Sequence, residues 1–363
     1  MTGGTKDIRI GAFRVRTVTA PLPQPHKTAS GTLDAAPLVL LDIETDAGVT
    51  GSSYLFPYAA FFLRPLALLV SELEELVKGQ PLMPRDIWTM LKTRTRLAGY
   101  PGLMACAVGG IDMALWDALA KAHGLPLASL LGAAPRPVWV YDSLGQMGPE
   151  ETARDIERSL KDGFRAFKVK SGDPDPRVDV AVARAIKSVA GDDAWTAMDF
   201  NQAFTAEEAV KRMHLLDHEG IAWIEEPVAW DDFEGHANVR AAISTPVQSG
   251  ENWYVARDMA KMVEAGALDH AMPDAMRIGG VTGWMEVAGL AAAHNIPVSS
   301  HLFPDHSVHL LAATPTGYIL EWFDLAAGIM AERPKIVDGM VSPLDLPGAG
   351  IVWDEKAIAE FAA

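Results

Sequence analysis

Lys168 and Lys170 stand one residue apart at the end of a short run of aromatic and β-branched residues. Side chains alternate along a strand, so both ammonium groups would point to the same face. Two like charges this close disfavour each other's protonation, and one lysine could therefore be a neutral amine that serves as a base. Taken alone, the stretch is more typical of an edge strand with two solvated lysines.

Three carboxylates follow at regular intervals. Asp199, Glu225 and Glu251 each come at or just after the end of a short apolar run, and the steps 199 to 225 and 225 to 251 are 26 residues each. One strand plus one helix fills such a step, so the three side chains would converge at one end of a parallel sheet. Their mutual repulsion requires a cation, and oxygen ligands that leave room for water and substrate suit Mg²⁺ better than Zn²⁺. Each acid alone could be an ordinary surface residue.

A second base could come from later in the chain, where Asp274 and His301 end two further strand candidates. A carboxylate on a neighbouring strand fixes the tautomer of a histidine and stabilises its cation. Bases on opposite sides of one bound carbon could remove a proton from one face and return it to the other. A proton α to a carboxylate is weakly acidic, so its removal needs strong stabilisation of the resulting enediolate. Lys168 could supply a cation, and Glu321 could donate a hydrogen bond as a neutral acid if neighbouring acids raise its pKa.

The elements that would position these residues alternate between strand and amphipathic helix from Pro137 onward. Eight such units predict a (β/α)8 barrel, whose strand ends share one mouth, with an open doubly wound sheet as the alternative. No Gly-x-Gly-x-x-Gly or P-loop sequence lies at a strand–helix junction, which weakens the nucleotide-binding alternative. The strand candidates are Val138–Tyr141, Phe164–Lys170, Trp195–Asp199, Ile221–Glu225, Val247–Ser249, His270–Met272, Pro297–Ser300 and Tyr318–Leu320.

The first 135 residues follow a different order, strands first and helices after, which is typical of an α+β domain. Strands are predicted over Ile8–Thr19 and Pro37–Glu44, and the Pro-, Gly- and Ser-rich stretch Pro21–Ala36 between them is predicted to be a long loop. Helical patterns follow over Phe61–Val77, Pro84–Leu97 and Ala105–His123.

The composition is that of a globular protein, with 49% hydrophobic and 21% charged residues in a chain of 363. A formal net charge of −16 argues against nucleic acid and anionic membranes as partners, but not against a small anionic substrate in a basic pocket. The single cysteine, Cys106, excludes an intrachain disulfide and a cysteine-rich metal site. With no secretory pattern and no uninterrupted membrane span recognised, we expect a cytoplasmic protein.

Taken in order, these motifs resemble the mandelate racemase/muconate lactonizing enzyme group of the enolase superfamily. The resemblance runs over essentially the whole chain. It implies a modified (β/α)8 TIM barrel over residues 136–333, with an α+β capping domain built from residues 1–135 and the C-terminal tail 334–363. The motifs that carry it are Lys168-Val169-Lys170, Asp199-Phe200-Asn201, Ile224-Glu225-Glu226-Pro227, Gly250-Glu251-Asn252-Trp253, Ala271-Met272-Pro273-Asp274, Ser299-Ser300-His301-Leu302-Phe303, Gly110–Ala118 and Leu320-Glu321.

The resemblance also implies roles for individual residues, and it implies a homo-oligomer, possibly an octamer. Mg²⁺ would be held by Asp199, Glu225 and Glu251. Lys170 and the His301–Asp274 dyad would be the two bases, with Lys168 beside the substrate carboxylate and Glu321 as electrophilic acid. Further substrate-binding candidates are Ser143, Asn201 and Tyr58.

Residues Pro21–Leu38, termed the flap below, match the mobile cap over the active site of this family. In this chain the flap positions that line the site are His26, Ser30 and Leu33, where the resemblance implies valines. Beyond Glu321, Phe323 stands where the resemblance implies a smaller aliphatic residue. This more polar lining disfavours phenylglycolate, unless His26 and Ser30 face water. We expect Mg²⁺-dependent removal of the proton α to a carboxylate, in a racemase of 2-hydroxy acids. The alternatives are an acid-sugar dehydratase with His301 as general acid, and a barrel that binds without turnover.

Overall fold

The computed structural model describes residues 8–28 and 31–363. The chain opens with a three-stranded antiparallel sheet of β1 (Ile10–Thr28), β2 (Gly31–Thr45) and β3 (Thr50–Leu55), in the order β1-β2-β3. The central strand β2 carries the apolar run Leu38–Leu41, and all four of these side chains are buried.

The long loop predicted over Pro21–Ala36 is wrong for the residues that the structure describes. The two strands continue through it as a hairpin, with Pro21 opposite Ala35 and, after a register shift, His26 opposite Leu33. The shift spans the prolines of this stretch, whose nitrogens cannot donate to a strand ladder. The tip of the flap contacts the barrel, because Gln146 N–H donates to the Lys27 carbonyl at 2.7 Å.

Within the described residues, four α-helices complete the N-terminal part. The third is long and apolar enough to cross a membrane, but 83% of its apolar window is buried inside the protein, as in the core helix of a soluble protein. Gly51 lets it pack closely on the sheet, because a Cβ at that position would lie 2.0 Å from the Ala114 carbonyl oxygen. The helices are α1 (Leu63–Val77), α2 (Pro84–Thr95), α3 (Leu103–Ala122) and α4 (Leu127–Leu130).

The remainder forms a modified (β/α)8 barrel, as predicted. Its strands are β4 (Val138–Leu144), β5 (Ala166–Lys170), β6 (Trp195–Asp199), β7 (Trp223–Glu225), β8 (Val247–Ser249), β9 (His270–Ala271) and β10 (Ile319–Trp322). Its helices are α5 (Pro149–Lys161), α6 (Pro176–Ala190), α7 (Ala206–Leu216), α8 (Phe233–Ala242), α9 (Ala256–Glu264), α10 (Gly280–His294) and α11 (Pro304–Ala313). Neighbouring strands are parallel, and β10 closes the ring on β4.

The seventh strand candidate, Pro297–Ser300, is reduced to a bridge. Val298 pairs with Ala271 on one side and Gly317 on the other, and so keeps the ring continuous. His301 forms a second isolated bridge, with Asp274, so residues 299–303 are held by single bridges, side chains and turns rather than by a continuous strand.

The C-terminal tail contacts both parts of the molecule. A hairpin of β11 (Ile336–Val337) and β12 (Met340–Val341) adds to the barrel sheet at β4. The last helix, α12 (Glu355–Glu360), lies against the N-terminal sheet, where Thr19 N–H donates to the Phe361 carbonyl at 2.9 Å. The domain boundaries at 135 and 333 stay a prediction.

Candidate active site

Strand register brings the first group of functional side chains together. Lys170 is the register partner of Asp199, and Asp199 is the partner of Glu225. All three end parallel strands, so they form one row across β5, β6 and β7. Glu251 follows β8 by two residues and completes the row, and one carboxylate oxygen from each of the three acids lies within 4.8 Å of the other two.

The acids of this row carry more charge than their lysines neutralise. The Lys168 ammonium lies 2.6 Å from Glu225 Oε1 and 2.7 Å from Glu321 Oε1, and Lys170 Nζ bonds Asp199 Oδ2. The ammonium groups of Lys168 and Lys170 thus face four buried carboxylates, which are those of Asp199, Glu225, Glu251 and Glu321. Burial and the neighbouring Asp199 carboxylate raise the pKa of Glu225 to about 8. Burial acts the same way on Asp199, but Lys170 and Lys168 outweigh it and lower its pKa to about 2.

The donor set fits a hard divalent cation. All three groups are carboxylates, and within the described residues the buried Glu251 Oε2 atom accepts no hydrogen bond, although His301 Nε2 lies 3.4 Å away. A carboxylate oxygen left unpaired inside a protein costs free energy unless a cation or water satisfies it. Oxygen ligands in a site that opens on a cavity are typical of Mg²⁺. The residues that would hold the ion are those predicted from the 26-residue spacing.

The two lysines differ from their predicted state. The pKa of Lys168 and that of Lys170 are both raised, because the surrounding carboxylates outweigh burial and the repulsion between the two ammonium groups. Lys168 also lies beneath the cavity wall, fully buried between Glu225 and Glu321. Its predicted contact with a substrate carboxylate stays a prediction.

The surroundings of Glu321 act against the raised pKa that the sequence analysis expected, and its role as electrophilic acid stays a prediction. Burial would raise its pKa, but Lys168, His301 and Lys170 lower it below its ordinary value. The carboxylate also accepts hydrogen bonds from Ser143 Oγ at 2.9 Å and from Leu302 N–H at 2.8 Å. Ser143 is thereby engaged with Glu321, and its predicted bond to a substrate stays untested.

The predicted dyad is formed. His301 Nδ1 lies 2.8 Å from Asp274 Oδ2, and both side chains are buried. Because the Asp274 carboxylate accepts the hydrogen bond from Nδ1, His301 Nε2 is free for chemistry. It faces the metal row, by which we mean the carboxylates of Asp199, Glu225 and Glu251. Burial alone would lower the pKa of His301, but Glu251 and Asp274 raise it.

Both bases open on one cavity of about 360 Å³ between the barrel mouth and the flap. Most of the residues that line it are polar, but apolar atoms make up more than half of its surface, and Leu33, Phe56, Leu302 and Phe323 supply the larger apolar side chains. Buried beneath it lie Lys168, Asp199, Glu225 and Asp274. The predicted residues that line it are His26, Tyr58, Ser143, Lys170, Asn201, Glu251, His301 and Glu321.

The flap is closed over this cavity. The His26 ring stacks on Phe323 with centroids 4.2 Å apart, and His26 is only 7% exposed. Burial, followed by the nearby Lys170 charge, lowers the pKa of His26 to about 3, so its imidazole is neutral at ordinary pH. The predicted flap residue Ser30 lies outside the described residues.

Sequence reasoning missed a polar layer beside the metal row. Gln202 and Asn252 both line the cavity, and both donate to the buried Glu226 carboxylate, at 2.8 Å and 3.0 Å. Asn201, Gln202 and Glu226 also have positive φ angles of 44°, 64° and 38°. Such strain is rare outside glycine and is concentrated at functional sites. The only sequence signal was that Glu226 and Asn252 directly follow predicted metal ligands and that Gln202 lies three residues after Asp199.

Family comparisons agree with this geometry. Residues 11–132 match the model of the mandelate racemase/muconate lactonizing enzyme N-terminal domain, and residues 151–357 match the enolase C-terminal domain-like model. A solved structure described as an enolase from Bradyrhizobium complexed with magnesium and mandelic acid is 41% identical over 100% of both chains, with a TM-score of 0.94.

Two curated relatives act on sugar acids. The 3,6-anhydro-alpha-L-galactonate cycloisomerase of Streptomyces coelicolor is 32% identical over 96% of this chain and 99% of its own length. The L-talarate/galactarate dehydratase of Salmonella typhimurium is 32% identical over 76% of this chain and 70% of its own length. The chain therefore belongs to the mandelate racemase/muconate lactonizing enzyme group of the enolase superfamily.

Proposed function

We propose that this protein is a Mg²⁺-dependent dehydratase of sugar acids. The observation that supports this most directly is the cavity, where Lys170 and His301 border one space whose wall carries polar side chains at most of its positions, among them Asn201, Gln202 and Asn252. A polyhydroxylated chain can pair with that wall, whereas an aryl side chain would leave several polar groups without partners. The dehydratase and cycloisomerase relatives support the same substrate class. This ranking reverses the one from sequence, which placed racemisation first.

The residues divide the reaction between them. Burial would lower the pKa of Lys170, but the Asp199 carboxylate outweighs burial and raises it, and Mg²⁺ bound to that carboxylate would weaken this effect. Lys170, as the free amine, would then remove the proton from C2, next to the substrate carboxylate. His301, protonated and oriented by Asp274, gives a proton to the C3 hydroxyl as its C–O bond breaks and water leaves. The resulting enol tautomerises to a 2-keto-3-deoxy acid, so the net change is the loss of one water. Mg²⁺ bound by Asp199, Glu225 and Glu251 supplies the positive charge that stabilises the anionic carboxylate oxygens.

Racemisation of a 2-hydroxy acid is the second candidate, because the mandelic acid complex is the more similar protein in sequence. In that reaction His301 returns its proton to C2 on the face opposite Lys170. The apolar patch of Leu33, Phe56 and Phe323 could receive an aryl group.

Incubation of the enzyme with Mg²⁺ and a panel of aldonic acids, aldaric acids and aryl glycolates in D2O separates the two reactions. We expect a 2-keto-3-deoxy product from at least one sugar acid, detected as its semicarbazone and by NMR. Loss of optical rotation with deuterium at C2 and no keto acid would support the racemase instead. The cytoplasmic location and the homo-oligomer stay predictions.

The metal assignment has a test of its own that does not depend on the substrate. Mn²⁺ should bind the wild-type protein with a stoichiometry of one per chain, measured by electron paramagnetic resonance. Glu251→Gln should weaken that binding at least tenfold, because it removes one of three charged ligands. Glu226→Gln is the control, because Glu226 is a neighbouring buried acid outside the triad.

A further inference from the structure

Four hydrogen bonds hold the Asp274 carboxylate. Its Oδ1 atom accepts from the backbone N–H groups of Met276 and Arg277, both at 2.8 Å. Its Oδ2 atom is shared by His301 Nδ1 at 2.8 Å and the Tyr58 hydroxyl at 3.1 Å. Three of these donors belong to the barrel, but Tyr58 follows β3 of the N-terminal sheet.

Tyr58 is itself fixed on several sides. Its backbone φ is +63°, a conformation that a bulky residue keeps only where its surroundings hold it. The Arg277 guanidinium lies 3.9 Å from the centroid of the phenol ring, and the Phe56 ring packs at 4.7 Å. Arg277 therefore supports both partners of the contact, with its backbone N–H on Asp274 and its side chain on Tyr58.

We propose that Tyr58 is a positioning residue of the His301–Asp274 dyad. A phenol has one proton to donate, and that of Tyr58 is directed at Asp274, which leaves none for a substrate hydroxyl. The bond fixes the oxygen that His301 Nδ1 faces, and so it sets the plane of the imidazole and the direction of Nε2. The sequence analysis had predicted a substrate contact for this residue.

The inference rests on the proposed function, because it assigns Tyr58 to the proton that His301 transfers. Among the described residues, Lys170 has no comparable contact with the loop that carries Tyr58. The way in which the Tyr58 loop packs on the barrel would therefore affect the proton transfer by His301 and leave that by Lys170 unchanged.

The test compares Tyr58→Phe with a matched control, Tyr54→Phe. Tyr54 lies in β3, and its hydroxyl donates to Asp305 at 3.0 Å, away from the dyad. On a sugar acid that the wild type dehydrates, two rates are measured in D2O: exchange of the C2 proton, which Lys170 catalyses, and formation of the keto acid, which needs His301. We expect Tyr58→Phe to lower kcat for the keto acid at least tenfold, with KM and C2 exchange within about twofold of wild type. Tyr54→Phe should leave both rates unchanged, and Tyr58→Phe should add no further loss to His301→Asn.

Other results overturn the inference. A raised KM with unchanged kcat would make Tyr58 a substrate-binding residue, and an equal loss of both rates would make its effect general. Failure of the proposed function looks different, because the wild type would then form no keto acid. If the wild type racemises a 2-hydroxy acid, Tyr58→Phe should slow exchange of the enantiomer whose α-proton faces His301, and equal slowing of both enantiomers would overturn the inference.

Discussion

The two bases of the candidate site are held in different ways. Lys170 is the last residue of β5, and the register of the parallel strands fixes its position beside Asp199, which is in turn paired with Glu225. His301 lies beyond the strand ladder and its backbone pairs with that of Asp274 only through an isolated parallel bridge, and Asp274 begins a turn whose backbone N–H groups bond its carboxylate. Tyr58 reaches this second side from outside the barrel. The Lys170 side is thus built by the barrel alone, whereas the His301 side depends on contacts between distant parts of the chain.

This difference indicates which half of the reaction is open to adjustment. A strand-borne residue cannot move without disturbing the parallel ladder on both sides. A residue held by one isolated bridge and by side chains has fewer ladder contacts, so its side chain can be reoriented by replacing one partner. Within one family, proton removal by the lysine could therefore stay fixed while the fate of the resulting anion is changed on the histidine side.

The largest predicted effects are those of replacing the two bases, and they distinguish the Lys170 side from the His301 side. Lys170→Ala should lower both C2 exchange and keto acid formation by about 10²–10⁴-fold, because both begin with removal of the C2 proton. His301→Asn should lower keto acid formation by a similar factor but leave C2 exchange within about tenfold of wild type. Proton NMR in D2O measures both rates in one sample. Retention of full keto acid formation in either variant would contradict the mechanism.

The Lys170 side was also the more predictable of the two. The 26-residue steps from Asp199 to Glu225 to Glu251 follow from one strand and one helix per repeat, so spacing alone located the metal row. His301 and Asp274 could be paired because both end neighbouring strand candidates. Tyr58 carried no signal for its contact with Asp274, because the two residues are 216 positions apart and meet only after the N-terminal part has packed on the barrel.

Two further errors have local causes. The flap contains prolines and small polar residues, which are typical of loops, but pairing between β1 and β2 overrides that preference. The charge state of Glu321 depends on the distance of 2.7 Å to Lys168 Nζ, which strand order does not give. The sequence placed both Glu321 and Lys168 at the barrel mouth. Whether the pKa of Glu321 is raised or lowered could be decided only once its contact with Lys168 was known.

A smaller effect is expected at the flap, which closes the cavity over both bases. His26→Ala should raise KM for a sugar acid about tenfold, with C2 exchange at saturation little changed, because the ring contacts Phe323 and lines the cavity without touching the dyad. His26→Phe is the matched control, since it keeps the ring stack but lacks the two nitrogens. A KM as high as that of His26→Ala would identify a polar contact with the substrate, and a wild-type KM would identify a packing role.

The pH dependence of KM tests whether the His26 ring is neutral in the closed flap. Because burial and Lys170 lower the pKa of His26 to about 3, the ring should stay neutral throughout the range in which the enzyme works. The difference in KM between wild type and His26→Phe should therefore be constant from pH 6 to pH 9, measured by initial rates. A difference that changes near pH 6.5 would show that the imidazole titrates in the free enzyme.

The smallest effect concerns stability, in the helix that follows the His301 turn. His309 lies in α11, where burial, followed by the nearby His306, lowers its pKa to about 3, against about 6.5 for an unfolded histidine. A base whose pKa is lowered by folding contributes stability above the unfolded value, and that stability is lost as the pH falls below about 6.5. At pH 5.5 the loss attributable to His309 should be about 1.4 kcal/mol relative to pH 7.5. Urea denaturation of wild type and His309→Gln at both pH values measures it. We expect the variant to lose less stability between them by about that amount, whereas equal losses would show that His309 is not the group responsible.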